Sequence, residues 1–78
     1  MKTIQLGGEF FNFDFVKSIV SSYECGEDYY YPRAIIYMKD TDKSSQRRLS
    51  NEEKLQSSEE ATAKAQQIIK QALTNANL

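Results

Sequence analysis

The side chains with the greatest capacity for chemistry are concentrated in one short stretch of the sequence. It holds a thiol, three carboxylates and three consecutive tyrosines: Glu24, Cys25, Glu27, Asp28, Tyr29, Tyr30 and Tyr31. Cys25 is flanked by carboxylates and has no neighbouring cation in the sequence of the kind that marks a reactive thiol. The stretch therefore favours recognition over catalysis.

The tyrosines of this stretch favour contact with another protein. A tyrosine offers a rigid ring with a polar tip, and tyrosine is enriched at protein interfaces. Glu27 and Asp28 precede the tyrosines in the sequence, and their charges would orient a basic partner. The alternative is an extended hairpin in which alternate tyrosines pack inward.

A second candidate site consists of five cationic residues: Arg33, Lys39, Lys43, Arg47 and Arg48. Beside the tyrosines, these cations could hold single-stranded nucleic acid, because bases stack on aromatic rings while cations contact the phosphates. A structural role is the alternative, since lysine and arginine on an edge strand prevent aggregation. Several carboxylates also lie close enough in the sequence to neutralise the cluster: Asp40, Asp42, Glu52 and Glu53.

The sequence contains none of the usual catalytic or metal-binding arrangements. It has no histidine, no tryptophan and a single cysteine. Histidine is the side chain most used for proton transfer near neutral pH and the commonest nitrogen ligand of metal ions. The segment Asp40-Thr41-Asp42 lacks the glycine and the terminal glutamate of a calcium loop. Gly7-Gly8 lacks the spacing of a phosphate-binding loop. We therefore expect a protein that is not an enzyme and that holds neither cofactor nor metal.

Length and composition predict one small domain with a limited core. A chain of 78 residues buries only roughly 60–65% of the surface that it exposes when unfolded. Because a lone cysteine cannot close an internal disulfide, self-association is the natural reinforcement. The net charge of −1 gives no general attraction to nucleic acid. No apolar run reaches the ~18–20 residues of a membrane span or resembles a signal peptide, so we expect a cytoplasmic protein without membrane contact.

The chain divides near residue 50 into a β-rich part, residues 1–50, and a helical part. Thr3–Leu6 is predicted to form a strand that enters a tight turn at Gly7-Gly8. Further strands are predicted at Val16–Glu24, Arg33–Lys39 and Ser45–Leu49. The strand that begins at Arg33 has two apolar faces, which favours a central place in the sheet. The strand Ser45–Leu49 is expected at an edge of the sheet.

The phenylalanine-rich segment that follows Gly8 allows two interpretations. Alternation places Phe11, Phe13 and Phe15 on one face of a strand. Alternatively, Asn12 and Asp14 form a local side-chain turn that ends this strand early.

Alternation also predicts which side chains share a face of the later strands. It places Val16, Ser18, Val20 and Ser22 on one face, and Lys17, Ile19, Ser21 and Tyr23 on the other. If a helix covers one side of the sheet, the other side is expected to retain Tyr23, Ile35 and Tyr37. This surface is rather apolar for contact with water, which favours a dimer or another partner.

Residues 57–76 are predicted to form one C-terminal helix. Ser57 and Glu60 have the spacing of a capping box. The apolar stripe contains Ala61, Ala65, Ile68, Ala72 and Leu73, with Ile69 and Ala76 beside it. A second capping box at Ser50 and Glu53 leaves an earlier start open, although the polar residues before Ser58 favour the later one.

These patterns predict an α+β fold: an antiparallel β-meander of about four strands with one C-terminal helix packed on one face. We expect a small non-catalytic protein that acts through protein–protein association, including self-association as a homodimer. The expected contact residues are Glu27, Asp28, Tyr29, Tyr30, Tyr31, Ile35 and Tyr37. The alternatives are a single-stranded nucleic-acid-binding module and a phage or mobile-element inhibitor of a host protein.

Overall fold

The fold consists of antiparallel strands followed by one helix. The computed structural model describes residues 2–41, 43–50 and 54–76. In chain order the elements are β1 (Thr3–Leu6), β2 (Glu9–Asn12), a 3-10 turn (Phe13–Phe15), β3 (Val16–Cys25), β4 (Tyr30–Met38), β5 (Ser44–Arg48) and α1 (Ser58–Asn75). Strands β1 and β2 form a two-stranded sheet, and β3, β4 and β5 form a three-stranded sheet in that order. The predicted α+β fold is confirmed, with β4 at the centre and β5 at an edge.

The β1–β2 hairpin forms because its turn residues accept positive φ angles. Gly7 and Gly8 have φ angles of +60° and +82°, which match the turn type whose twist suits two antiparallel strands. Strand pairing then places Ile4 and Leu6 on the same side of the hairpin, and both side chains are buried. The hairpin contributes two aliphatic side chains to the core.

The segment after β2 adopts the local turn and does not extend the strand. The Asn12 Oδ1 accepts a hydrogen bond of 3.0 Å from the backbone N–H of Asp14, which ends β2 and begins the 3-10 turn. The row of three rings consequently does not form. Phe13 packs against the core, whereas Phe15 remains 58% exposed.

A β-bulge at Lys17 decides which side chains of β3 enter the core. Val16 lies opposite Met38 and Ser18 opposite Tyr37, so the partner strand skips Lys17. The extra residue reverses the alternation, and the prediction that Val16 shares a face with Val20 is wrong. Val16 instead joins the buried core.

The core lies between one face of the three-stranded sheet and a second layer made of α1 and the β1–β2 hairpin. Its buried members are Ile4, Leu6, Val16, Ala34, Ile36 and Ile69. Helix α1 packs against β3, β4 and β1. The fully buried Ala61 and Ala65 let the helix backbone approach the sheet closely. The buried side of α1 includes Ile69. The sequence pattern places Ile68 on the apolar stripe and Ile69 beside it, so the buried side is shifted slightly around the helix from the prediction.

The helix begins at the later of the two predicted positions. The Ser57 Oγ accepts a hydrogen bond of 3.1 Å from the backbone N–H of Glu60, and the Glu60 Oε2 accepts one of 3.4 Å from the backbone N–H of Gln56. The first bond satisfies a donor that the first helical turn would leave without a partner, and the second ties the residue before the N-cap to that turn. Glu53, part of the alternative capping box, lies outside the described residues. No helix within the described residues combines the length and the apolar character that a membrane span requires.

Replacement of the two turn glycines by alanine should have unequal effects on stability. A Cβ atom added to Gly7 would lie 2.8 Å from the carbonyl oxygen of Arg48, whereas one added to Gly8 meets no atom within 4 Å. Gly8→Ala is expected to lower the free energy of unfolding by about 1 kcal/mol through its positive φ alone. Gly7→Ala should lower it clearly further, because the backbone of β5 must also shift. Urea unfolding of both variants tests this, and equal losses would contradict the close approach of Gly7 to β5.

Candidate functional site

The candidate site is the face of the three-stranded sheet that points away from α1, which we call the open face. Register places eleven side chains on it: Ser18, Val20, Ser22, Glu24, Tyr31, Arg33, Ile35, Tyr37, Ser44, Gln46 and Arg48. Helix α1 and the β1–β2 hairpin both lie on the other side of the sheet. Within the part of the chain that the structure describes, no helix or strand covers the open face.

One half of the open face is apolar. Val20 lies directly opposite Ile35 in the β3–β4 ladder, and Tyr37 follows two residues later on β4. Val20 is 44% exposed and Tyr37 is 40% exposed, while Ile35 between them is half-buried. Because regular strands hold all three side chains, this apolar strip is presented with little conformational freedom.

The other half of the open face is polar and is organised by Glu24. Its carboxylate accepts a hydrogen bond of 2.7 Å from Arg33 and another from Arg48. The two arginines lie directly opposite each other on β4 and β5, where like charges would repel. Arg33 also donates a hydrogen bond of 2.7 Å to the Gln46 Oε1. One carboxylate therefore holds two cations together across three strands.

Tyr31 completes the polar half. The Arg48 guanidinium lies 4.3 Å from the centre of the Tyr31 ring, at the distance of a cation–π contact. The ring lies over Gly26, where an added Cβ would come within 2.9 Å of the Tyr31 Cε2. The absence of a side chain at Gly26 thus gives the ring its place on the sheet.

An acidic turn adjoins this polar half. The backbone N–H of Gly26 donates a hydrogen bond of 2.8 Å to the Tyr29 carbonyl, which closes the β3–β4 turn and leaves Glu27 and Asp28 exposed at its tip. Of the three ion pairs within the described residues, none involves either carboxylate. Their charges are available to a partner.

The residues predicted for protein contact do not all share one surface. Tyr31 and Tyr37 lie on the open face with Ile35, as described above. Tyr30 lies on the covered face, where its ring meets that of Tyr23 edge-on with centroids 5.7 Å apart. The prediction that Tyr23 shares a face with Ile35 is therefore wrong, and its cause is the bulge at Lys17. Tyr29 is exposed beside the turn, with the Lys54 ammonium 5.6 Å from its ring centre.

Val20 and the Glu24 network are the parts of this site that sequence reasoning missed. Alternation alone cannot place Val20 relative to the core, because nothing in the residue types marks Lys17 as the bulge. The pairing of Glu24 with Arg48 spans 24 positions of the chain, which no local pattern reveals. The signal that was available was the small, uncharged composition of β3 between Ser18 and Ser22.

The five predicted cations lie in different surroundings. Arg33 and Arg48 are bound to Glu24 on the open face. Arg47 lies on the other side of the sheet, 2.7 Å from the Glu9 carboxylate and with its guanidinium 6.0 Å from the Phe11 ring centre. Lys39 and Lys43 are exposed near the β4–β5 turn. The arrangement does not gather these cations into one basic surface.

The remaining features offer binding surface more readily than reactive groups. The Cys25 thiol is exposed and lies 3.5 Å from the Gly26 carbonyl. A groove of about 440 Å³ separates the β1–β2 hairpin from α1, and its lining contains no titratable side chain: Thr3, Gln5, Phe10, Ile68, Gln71, Ala72, Asn75 and Ala76. Among the described residues, no group of three or more acidic, cysteine or histidine side chains could hold a metal ion.

Comparison of the chain with protein-family models, curated proteins and solved structures gave no match.

Removal of the Glu24 charge should destabilise the sheet through the two arginines. In Glu24→Gln, Arg33 and Arg48 face each other without their shared carboxylate, and we expect the free energy of unfolding to fall by about 1 kcal/mol. The loss should shrink at about 1 M salt, because screening weakens the repulsion between partly exposed cations. Urea unfolding at low and high salt measures both effects.

Glu27→Gln is the matched control for this experiment. It removes the same charge from an exposed position that has no ion pair, so its stability should stay within about 0.5 kcal/mol of the wild type. Equal losses in the two variants, or a loss that is independent of salt, would show that Glu24 does not organise the arginines.

Proposed function

We propose that this chain is a non-catalytic protein that acts by associating with other proteins through the open face of its sheet. The observation that supports this function best is the exposed apolar strip of Val20, Ile35 and Tyr37 on a surface that α1 leaves uncovered. An apolar patch on regular secondary structure is typical of a protein contact site. Holding such a patch on strands also reduces the entropy that binding costs.

The charges around the strip indicate the chemistry of the partner. Glu24 neutralises much of the charge of Arg33 and Arg48, whereas the carboxylates of Glu27 and Asp28 are exposed at the turn tip. A complementary surface would place apolar side chains on Val20 and Tyr37 and basic side chains near the turn. Charge complementarity of this kind fixes orientation and raises the association rate more than it raises affinity.

The proposed function includes self-association as a homodimer. With a core of this size, an interface between two copies would add buried apolar surface that the monomer lacks. A host protein bound by an inhibitor of phage or mobile-element origin would be an alternative occupant of the open face. The proposal also includes a cytoplasmic location, because thiols such as the exposed free thiol of Cys25 stay reduced in that compartment.

Substitution of Tyr37 should weaken partner binding without unfolding the chain. Its ring is exposed, so Tyr37→Ser removes contact area while the buried core on the other face stays intact. A loss of about 1.4 kcal/mol of binding energy would lower the affinity roughly tenfold. The measurement is capture of proteins by the immobilised chain from extracts of its source cells, followed by titration of the purified captured protein.

Phe10→Ser is the matched control for this experiment. Phe10 is 68% exposed and lies on the β1–β2 hairpin, away from the open face. A partner that binds the wild type and Phe10→Ser equally, but binds Tyr37→Ser more weakly, would support the open face as the binding surface. Retention of every partner by both Tyr37→Ser and Val20→Ser would refute it.

Single-stranded nucleic acid is the weaker alternative occupant. Carboxylates hold three of the five cations, Arg33, Arg47 and Arg48, and the guanidinium of Arg48 lies over the Tyr31 ring on which a base would stack. We therefore expect no binding of fluorescent single-stranded oligonucleotides in an anisotropy titration at low salt. Binding that weakens steeply with salt would favour the nucleic-acid function instead.

A further inference from the structure

Strand β3 is an outer strand of the three-stranded sheet, and its outward backbone groups can be assigned. The Gly26 N–H bonds the Tyr29 carbonyl, while the N–H and the carbonyl of Tyr30 both bond Leu55 on the far side of β4. Hydrogen-bonded and non-bonded pairs alternate along an antiparallel ladder. The residues of β3 that direct N–H and C=O groups away from β4 are therefore Ile19, Ser21, Tyr23 and Cys25.

Beyond the bulge at Lys17, this edge lacks the features that usually keep a strand edge from pairing. Strand β3 has ten residues, and its stretch from Ser18 to Tyr23 contains no charged residue, proline or glycine. The opposite edge of the sheet is different, because β5 has five residues and carries Arg47 and Arg48. Lysine or arginine and short length are the common protections of an edge strand. Of the two edges of this sheet, the β5 edge combines both.

We propose that two copies of this chain join through β3, antiparallel and about a two-fold axis at Ser21, to form a continuous six-stranded sheet. The inference rests on the proposed self-association and specifies its mode. Such an axis is perpendicular to the sheet. Residues that pair across it therefore have their side chains on the same face of the sheet. It places Ser21 opposite the partner's Ser21, and Ile19 opposite the partner's Tyr23.

The sequence of β3 complements itself in this register. Every outward N–H and C=O group of Ile19, Ser21 and Tyr23 then has a backbone partner, and the 44% exposed ring of Tyr23 is covered by the partner's Ile19. Glu24 comes opposite the partner's Ser18, so no like charges face each other. An axis at Val20 would instead place the bulged Lys17 opposite the partner's Tyr23, and one at Ser22 would place Glu24 against the partner's Val20.

The assembly also explains why association would stop at two copies. Pairing of the β3 edges leaves only the β5 edges outermost, where arginines oppose further growth. Because the axis is perpendicular to the sheet, both open faces lie on the same side. The apolar strips of the two copies then become parts of one larger surface.

Amide hydrogen exchange measured across a dilution series tests this pairing. The amide hydrogens of Ile19, Ser21 and Tyr23 should exchange fast in dilute protein and become protected as the mass by light scattering rises towards twice 9.0 kDa. Those of Val20 and Ser22 bond β4 and should be protected at every concentration. This pattern separates edge pairing from contact through the open face, which would leave the outward amides exposed.

Ser21→Pro and Ser21→Thr form the matched pair of variants. Proline at Ser21 removes an outward N–H and no bond to β4, so the monomer should fold while dimerisation weakens by at least roughly tenfold. Threonine keeps the N–H and should keep the dimer. If Ser21→Pro unfolds, Tyr23→Lys supplies the same test by placing a charge at the exposed edge. Tyr37→Ser should leave this dimer intact.

Three results would overturn the pairing. A wild-type chain that stays monomeric at all concentrations refutes it and leaves binding of other proteins through the open face untouched. A dimer that survives Ser21→Pro but is lost in Tyr37→Ser assigns self-association to the open face. Protection of the Ile19 and Ser21 amides only after a different protein is added makes the occupant a foreign strand and not a second copy.

Discussion

The structure depends on a single packing contact, that of one helix against one face of a three-stranded sheet. Helix α1 has 18 residues, and together with the β1–β2 hairpin it forms the whole of the second layer. Among the residues that the structure describes, no further element lies on the other face. The buried side chains are consequently aliphatic and few, and the open face must meet either water or another molecule.

The asymmetry of the sheet follows from this one-sided core. On the covered face, Ala34 and Ile36 are fully buried by the second layer. On the open face, the same strand presents Arg33 and Ile35, and stability there depends on contacts between neighbouring side chains. Glu24 provides that stability at one end by binding cations from two other strands. The opposite end retains apolar side chains without a comparable partner, and this difference is the basis of the proposed function.

The elements that local chemistry controls were predictable from the sequence. The positive φ angles of Gly7 and Gly8 and the hydrogen bond from the Glu60 N–H to Ser57 both follow from residues that are close together in the chain. The turn at Asn12 was one of two interpretations, and its side-chain hydrogen bond decides between them. These features set the turn after β1, the end of β2 and the start of α1.

The faces of the strands were less predictable, because they depend on contacts between distant residues. The bulge at Lys17 allows β3 to direct both Val16 and Ile19 towards the core. The need for it arises from the pairing of β3 with β4, which is distant in the sequence. The ion pairs of Glu24 depend in turn on the registers of β4 and β5. Alternation therefore identified the strands but assigned Tyr23 to the wrong face, and it left Val20 out of the candidate site.

The placement of the first strand and the last helix in one layer has a consequence for the connectivity of the molecule. Thr3 of β1 and Asn75 of α1 line the same groove, so the two terminal elements lie side by side, behind the sheet as seen from the open face. A short linker could join them, which makes the fold a natural substrate for circular permutation. Any polypeptide fused to either terminal element would be attached to the covered layer, and several copies could be strung in tandem with their open faces unobstructed.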